Sequence, residues 1–364
     1  MQWRAVLLIA AAAVAVRLAY VVDGTLGGWM ELGDALHYHE TATRIASGRG
    51  LPFTAHWVPL YPLALSPFYR LFGDSWLVPR MVNAWLGGVT AALLMHWTAR
   101  AFDRRSAPWA GALYAAFPTA IAYSGHVASE NLAVPLALAA CLALGRLLDR
   151  TRLWTAALLG TLFGLLALTR ADGAVLFVLT LLWLLCRWRR RGGQAVAAVA
   201  VAAAAWAVVL APWTVRNHQV FGRFIPLTTS AGPTLLDGNN PLAAGGPVGL
   251  EAYPPAWRGV GGPRETERNT ATRRLALQWM RGQGIGLAGH LGRKLATLWS
   301  PRTAFFFRAP TRYPRLQKWV LPVFFPLVLA AGWVGALLAP WREARAALWL
   351  VFVQVHLIAL VFFG

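Results

Sequence analysis

The sequence predicts an all-α integral membrane protein: a polytopic helical bundle of about nine spans, with two long exoplasmic loops that contain short amphipathic helices. Three observations carry this. Of the 364 residues, 57% are hydrophobic and 13% charged, where a soluble domain has about a quarter charged. The apolar residues come in runs close to the ~20 residues that cross a bilayer as a helix. Arginines then fill every second short loop between those runs.

The runs fall at 5–22, 78–99, 107–123, 131–148, 153–168, 173–188, 195–212, 319–339 and 346–363. Helices are the only plausible spans for them, because lipid offers no partner to an unpaired backbone group. The first run follows Arg4 and contains Arg17, and no small-x-small cleavage site follows it. It reads as a retained span rather than a signal peptide. Arg17 lies towards its outer end and is expected to snorkel to the interface.

The net charge is +20, and 34 residues are Lys or Arg, only Lys294 and Lys318 being lysine. A strongly basic balance often means nucleic acid. Here much of the charge sits in short loops between apolar runs, so membrane topology accounts for that part. Cys141 and Cys186 lie inside apolar runs with no metal or disulfide spacing and read as small core residues.

Orientation follows from the short loops. Arg100, Arg104 and Arg105 form one set, Arg146, Arg150 and Arg152 the next, then Arg187, Arg189, Arg190 and Arg191, then Arg342 and Arg345. The positive-inside rule places these sets, and the N-terminus, in the cytoplasm. Two long segments, 23–77 and 213–318, are then exoplasmic. Loops of that length are usually functional. The expected organisation is a transmembrane core over 1–212 that includes the first outer loop, a second outer loop over 213–318, and a C-terminal transmembrane hairpin over 319–364.

Helical signals occur in both loops. Asp34, with His37, Tyr38 and Thr41 following at i+3, i+4 and i+7, fits a helix that starts near Asp34. Leu287, Leu291, Leu295 and Leu298 fall on one helical face after Gly282, Gly284 and Gly286, which reads as an amphipathic helix on the outer membrane surface. Ala271, Leu275 and Trp279 indicate a further short helix before it. The stretch 222–263 is rich in Gly, Pro, Asn and Thr and is expected to be irregular.

Five residues or groups stand out chemically. Asp34, where loop and membrane surface meet, has the position of a general base for an acceptor hydroxyl, or of a plain helix-terminal carboxylate; Asp23 and Glu31 are rivals. Arg170, in Thr169-Arg170-Ala171-Asp172-Gly173, is the one basic residue in the short outer loops. It suits a lipid phosphate, or an ion pair with Asp172, or snorkelling. Glu130 follows Ser129 at the start of a span, where capping is the simplest account. Lys294 flanks the leucine stripe and either meets a lipid phosphate or snorkels. His37, His39 and His56 with Glu31 match no standard metal cluster. A divalent metal is only weakly supported, and no cofactor fingerprint is present.

Four stretches, in order, carry a resemblance. Gly33-Asp34 with Tyr38 precedes Ala46-Ser47-Gly48-Arg49-Gly50. Pro59-Leu60-Tyr61-Pro62-Leu63 follows. Then come Ser129-Glu130-Asn131-Leu132 and Leu168-Thr169-Arg170. Last are Pro212-Trp213-Thr214-Val215-Arg216-Asn217, Phe221-Gly222 and Gly238-Asn239-Asn240-Pro241. Together they resemble bacterial integral-membrane glycosyltransferases of the C superfamily, the group labelled family 39, similar to protein O-mannosyltransferases and to the lipid A aminoarabinose transferase.

The resemblance implies a polyprenyl-phosphate sugar donor, a lipid, glycan or protein acceptor, and a site on the exoplasmic face of the bacterial inner membrane. It implies Asp34 as catalytic base, Arg170 and Lys294 at the donor phosphate, and Tyr38, Glu130 and Asn240 lining the sugar or acceptor site. The sequence departs from the family in carrying Ala35 where many relatives have a second acidic residue, and in having only two spans after the second loop. The main rival reading is a transporter or flippase of lipid-linked sugars, which would share the cations but favours broken helices and repeats near the bilayer midplane.

Overall fold

A computed structural model describes residues 3–26, 33–189, 192–243, 257, 260, 262, 264–300, 326–328, 330–332, 334–335 and 343–361. Among these residues every regular element is a helix. In chain order they are α1 (Trp3–Leu26), α2 (Asp34–Ala46), α3 (Leu60–Phe72), α4 (Leu77–Ala101), α5 (Ser106–Ala116), α6 (Pro118–Ser124) and α7 (Glu130–Asp149). Then follow α8 (Leu153–Thr169), α9 (Gly173–Trp188), α10 (Gly193–Phe221), α11 (Ala231–Gly238), α12 (Glu265–Gly282), α13 (Gly286–Leu298) and α14 (Glu343–Val361).

Four of these are long and apolar enough to cross a membrane: Trp3–Asp23 within α1, α4, α7 and α10. The helices α8, α9 and Leu348–Val361 of α14 are apolar but shorter. Most of the expected span 319–339 lies outside the described residues.

The expected span 107–123 is not one helix. Pro118 lacks an N–H and forces the residue before it out of the helical region. Phe117 accordingly sits at ψ 112°, separating α5 from α6. The break removes the Pro118 N–H that would bond Tyr114 O, which keeps only the longer bond from Phe117 N–H (3.2 Å), and Arg17 of α1 adds to the carbonyls there. Its guanidinium donates to Tyr114 O at 3.1 Å, Ala115 O at 3.3 Å and Ala13 O at 3.0 Å, and lies 4.7 Å over the Tyr114 ring. Arg17 is 0% exposed. It therefore does not snorkel as expected: carbonyls freed inside the bundle attract it more than the interface does. Gly87 on α4 makes the room, since a Cβ there would fall 2.4 Å from Arg17 Cδ.

Small residues likewise bring α8 and α10 together. A Cβ on Gly160 would lie 2.0 Å from Ala202 O, and one on Gly164 would lie 2.7 Å from Val209 Cβ. A Gly-x-x-x-Gly face of this kind lets two membrane helices approach to backbone contact.

The chain divides into two compact units. One comprises Met1–Pro52, Pro59–Leu210 and Phe307–Leu348, the other Phe53–Val58, Ala211–Phe306 and Trp349–Gly364. The first holds the apolar bundle with α2 and α3. Helix α3 was not expected from the sequence: Pro59 forms its N-cap and Pro62 sits in its first turn, where a missing N–H costs nothing.

The second unit is built around α11 and α12, where Leu235, Leu236 and Ala276 pack with Trp257 and Leu275. A Cβ on Gly232 would meet Asn269 O at 2.0 Å. The strap 53–58 is stitched to it by Thr229 N–H to Ala55 O (2.9 Å), Ala55 N–H to Glu265 Oε1 (2.9 Å) and Arg216 Nη1 to Thr54 O (3.0 Å). Helix α11 corrects the expectation of irregular structure throughout 222–263; residues 244–256 lie outside the described residues.

The amphipathic α13 exists, but its buried face is not the leucine stripe. His290 and Lys294 are buried, whereas Leu287, Leu291, Leu295 and Leu298 are half-buried. Polar side chains turn inward because acceptors wait there: Lys294 reaches Leu360 O, and Trp299 Nε1 donates to His356 Nε2 at 2.9 Å, so α13 is bonded to α14.

Candidate active site

In the first unit, Gly33 has φ 68°, a conformation glycine adopts at no steric cost, and the chain turns there directly into α2. Asp34 is the first helical residue and is exposed. The helix N-terminus favours its negative charge.

One turn on, Tyr38 is buried. Its hydroxyl donates to Ser129 Oγ at 3.4 Å, and its ring packs edge-on against Tyr61 at 5.2 Å. Tyr61 in turn donates to Asn83 Oδ1 at 2.9 Å, and Asn83 Nδ2 donates to His126 O at 2.8 Å. Asn131 Nδ2 bonds the carbonyls of Tyr123 (3.0 Å), His126 (3.2 Å) and Ala128 (3.0 Å). These bonds hold the turn between α6 and α7 that presents Ser129 and Glu130.

At the other side of that turn, Arg170 ends α8 in extended conformation. Its Nη1 donates to Glu130 Oε1 at 2.5 Å and its Nε to Asp172 Oδ1 at 3.3 Å. The arginine side chain is 33% exposed. Among the described residues no group accepts from Nη2.

Burial works against the Arg170 charge, but Glu130 and Asp172, followed by the Tyr38 phenol, outweigh it and raise its pKa above the ordinary arginine value. The Tyr38 phenol is pushed up to about 12, first by burial and then by the charges of Asp34 and Glu130, against the opposing Ser129 bond and Arg170. It therefore stays protonated and acts as a donor. Asp34, Glu130 and Arg170 thus all act on the Tyr38 phenol, which lies between α2 and the Glu130–Arg170 pair.

The simple capping account of Ser129-Glu130 does not hold: Ser129 is the N-cap of α7 but makes no side-chain cap bond. The ion pair of Arg170 with Asp172 does form, and Glu130 joins it. Asp23 ends the apolar part of α1 and is half-buried; Glu31 lies outside the described residues.

The remaining expected site residues belong to the second unit. Lys294 is 1% exposed and donates to Asn239 Oδ1 at 2.9 Å and Leu360 O at 3.1 Å. Burial lowers its pKa to about 8. It does not snorkel. Asn240 is buried, and its amide has local uses: Nδ2 donates to Leu236 O and Asp237 O, both at 2.9 Å, and Oδ1 accepts from Leu242 N–H at 2.8 Å. The side chain thus closes the end of α11.

Among the described residues no three His, Cys, Asp or Glu side chains gather into a metal site. His39 instead stacks on Trp76 (4.0 Å, 9° between planes) and bonds the Tyr69 hydroxyl at 2.8 Å. Ser129, Tyr61 and Asn83 escaped the sequence reading as parts of this site. Tyr61 was visible inside the Pro-Leu-Tyr-Pro element; nothing in the sequence pairs Ser129 with Tyr38.

Residues 56–215 match the family described as dolichyl-phosphate-mannose-protein mannosyltransferase. The match spans less than half of the chain, includes Glu130 and Arg170, and leaves Asp34, Tyr38, Asn240 and Lys294 outside. It supports the C superfamily of membrane glycosyltransferases and, in general terms, a polyprenyl-phosphate-sugar-dependent transferase. No curated protein matches the chain.

Proposed function

We propose that this protein transfers a sugar from a polyprenyl-phosphate donor to a lipid, glycan or protein acceptor on the exoplasmic face of a bacterial inner membrane. The observation that supports it best is that an exposed carboxylate, Asp34, and a partly exposed, firmly held guanidinium, Arg170, both act on the same buried phenol, Tyr38.

The acceptor hydroxyl gives its proton to Asp34 as its oxygen attacks the anomeric carbon. The bond from that carbon to the phosphate oxygen breaks, its electron pair leaves with the phosphate, and the sugar inverts. Arg170 stabilises the charge that develops on the leaving phosphate. A site at the membrane surface lets the polyprenyl chain stay in lipid while the phosphosugar reaches water. The nine-span topology with cytoplasmic arginine loops is part of this proposal.

The rival flippase reading draws on the break between α5 and α6, since transporters use discontinuous helices to bind substrates. Here the break is filled by Arg17, which satisfies the carbonyls of Tyr114 and Ala115 internally. The deciding experiment uses the purified full chain in proteoliposomes with synthetic polyprenyl-phosphate hexose and pentose donors. Release of polyprenyl phosphate with transfer of the sugar supports the enzyme. Movement of intact donor between leaflets, with no transfer to any acceptor fraction, overturns it.

A further inference from the structure

Ser129 and Glu130 are consecutive residues whose side chains go to opposite halves of the site. Ser129 Oγ accepts from Tyr38 on α2, the helix that begins with Asp34. Glu130 accepts from Arg170 at the end of α8. Ser129 forgoes what its position invites: an N-cap serine normally accepts an N–H of its own helix, and here it makes no such bond. The turn carrying them is fixed by Asn131 through the carbonyls of Tyr123, His126 and Ala128, and by Asn83 through His126 O.

Displacement at an anomeric carbon needs the base on the acceptor and the cation on the leaving phosphate at a fixed separation, and small misplacements are costly. Asp34 and Arg170 stand on helices distant in sequence, and the path of side chains between them runs through this dipeptide. We infer that Ser129 and Glu130 are positioning residues that register the base-bearing helix against the phosphate-binding arginine. Glu130, through Nη1, fixes how the guanidinium lies; Ser129 sets α2. The inference rests on the proposed reading of Asp34 and Arg170, and it gives Glu130 a task other than contact with sugar or acceptor.

The test reads polyprenyl phosphate binding to the purified protein alongside donor KM, acceptor KM, kcat and melting temperature. Glu130→Ala leaves the guanidinium held by Asp172 alone and should weaken polyprenyl phosphate binding and raise donor KM by about tenfold or more, the scale of one charge-assisted bond, with acceptor KM unchanged. Glu130→Gln keeps an acceptor oxygen for Arg170 and should restore most of that loss. Ser129→Ala should leave polyprenyl phosphate binding within about twofold and lower kcat. Tyr38→Phe should match it, and the double variant should be no worse than either single one, because both remove the same bond.

Glu130→Ala with unchanged polyprenyl phosphate binding and a raised acceptor KM would overturn the proposal and put Glu130 on the acceptor. Changes confined to melting temperature would make the pair plain scaffolding. Wild-type protein that binds no polyprenyl phosphate at all would instead sink the reading of the site itself.

Discussion

Lys294 Nζ donates to the carbonyl oxygen of Leu360, in the last turn of α14. The last carbonyls of a helix lack partners within it and carry partial negative charge. Asn239 Nδ2 takes the neighbouring carbonyl of Val361 at 2.8 Å, and Asn239 Oδ1 accepts from Lys294. Lysine and asparagine together close the end of this helix with neutral partners only, which is why burial depresses the lysine so far.

A pH dependence of stability follows from that burial. The folded pKa of about 8 lies below the ordinary 10.5, so the folded protein loses this proton first as pH rises. Stability should therefore increase between about pH 8 and 10.5, and stay level in this respect below 8. Each pH unit of separation is worth about 1.4 kcal/mol, so the whole window is worth about 3 kcal/mol. The readout is the difference in melting temperature between wild type and Lys294→Met from pH 7 to 10. A difference that does not move with pH would mean that the amine is not buried as described.

Asp34→Asn keeps size and helix position while removing the proposed base. We expect kcat to fall by about a hundredfold or more, the usual range for lost general-base catalysis, with polyprenyl phosphate binding unchanged. Asp23→Asn and Glu31→Gln serve as rivals in the same assay. Near wild-type turnover for Asp34→Asn beside a dead rival would assign the base elsewhere.

Arg170→Ala should weaken donor use by about ten- to a hundredfold, the loss of roughly 1.5–3 kcal/mol from one charge-assisted contact. Arg170→Lys keeps the charge but loses the planar fork that Glu130 and Asp172 hold, so rescue should be partial. The exposed Arg223 is the matched control. Arg216 is unsuited to that role, because it ties the strap at Thr54 to its own helix. Single-turnover transfer against donor concentration decides. An Arg170→Ala protein that melts earlier yet shows wild-type donor dependence would make the arginine a structural ion-pair partner alone.

Gly160→Ala should cost about 1–3 kcal/mol of stability through overpacking, because the backbone carbonyl of Ala202 cannot yield to a new methyl group. Gly164→Ala should cost less, since its nearest neighbour is the side chain of Val209. Gly193→Ala, with open space around it, should be neutral or slightly stabilising. Thermal unfolding in nanodiscs ranks the three, and equal melting temperatures would contradict the close approach of α8 and α10.

Much of the helical framework was legible because membrane helices announce themselves by composition. Lipid demands a long apolar run, and α4, α7, α8 and α9 begin and end within two residues of the runs read from sequence. The helix at Asp34 was legible for a local reason as well, a glycine turn followed by a carboxylate at the N-terminus. Helices α3 and α11 were hidden because Pro and Gly read as breakers, although a first-turn proline is tolerated where no N–H is needed.

Asp34 and Arg170 stood out from the sequence alone, since an isolated carboxylate and an isolated guanidinium between apolar runs break the local pattern. What surrounds them depends on how distant helices pack. Arg17 and Lys294 both looked free to snorkel, and both turned inward to carbonyls at helix ends, Arg17 at Tyr114 and Ala115, Lys294 at Leu360. Backbone acceptors have no signature in residue type: which carbonyls lack partners depends on where each helix breaks and what packs there. The same holds for Ser129, whose bond to Tyr38 depends on α2 lying beside the start of α7.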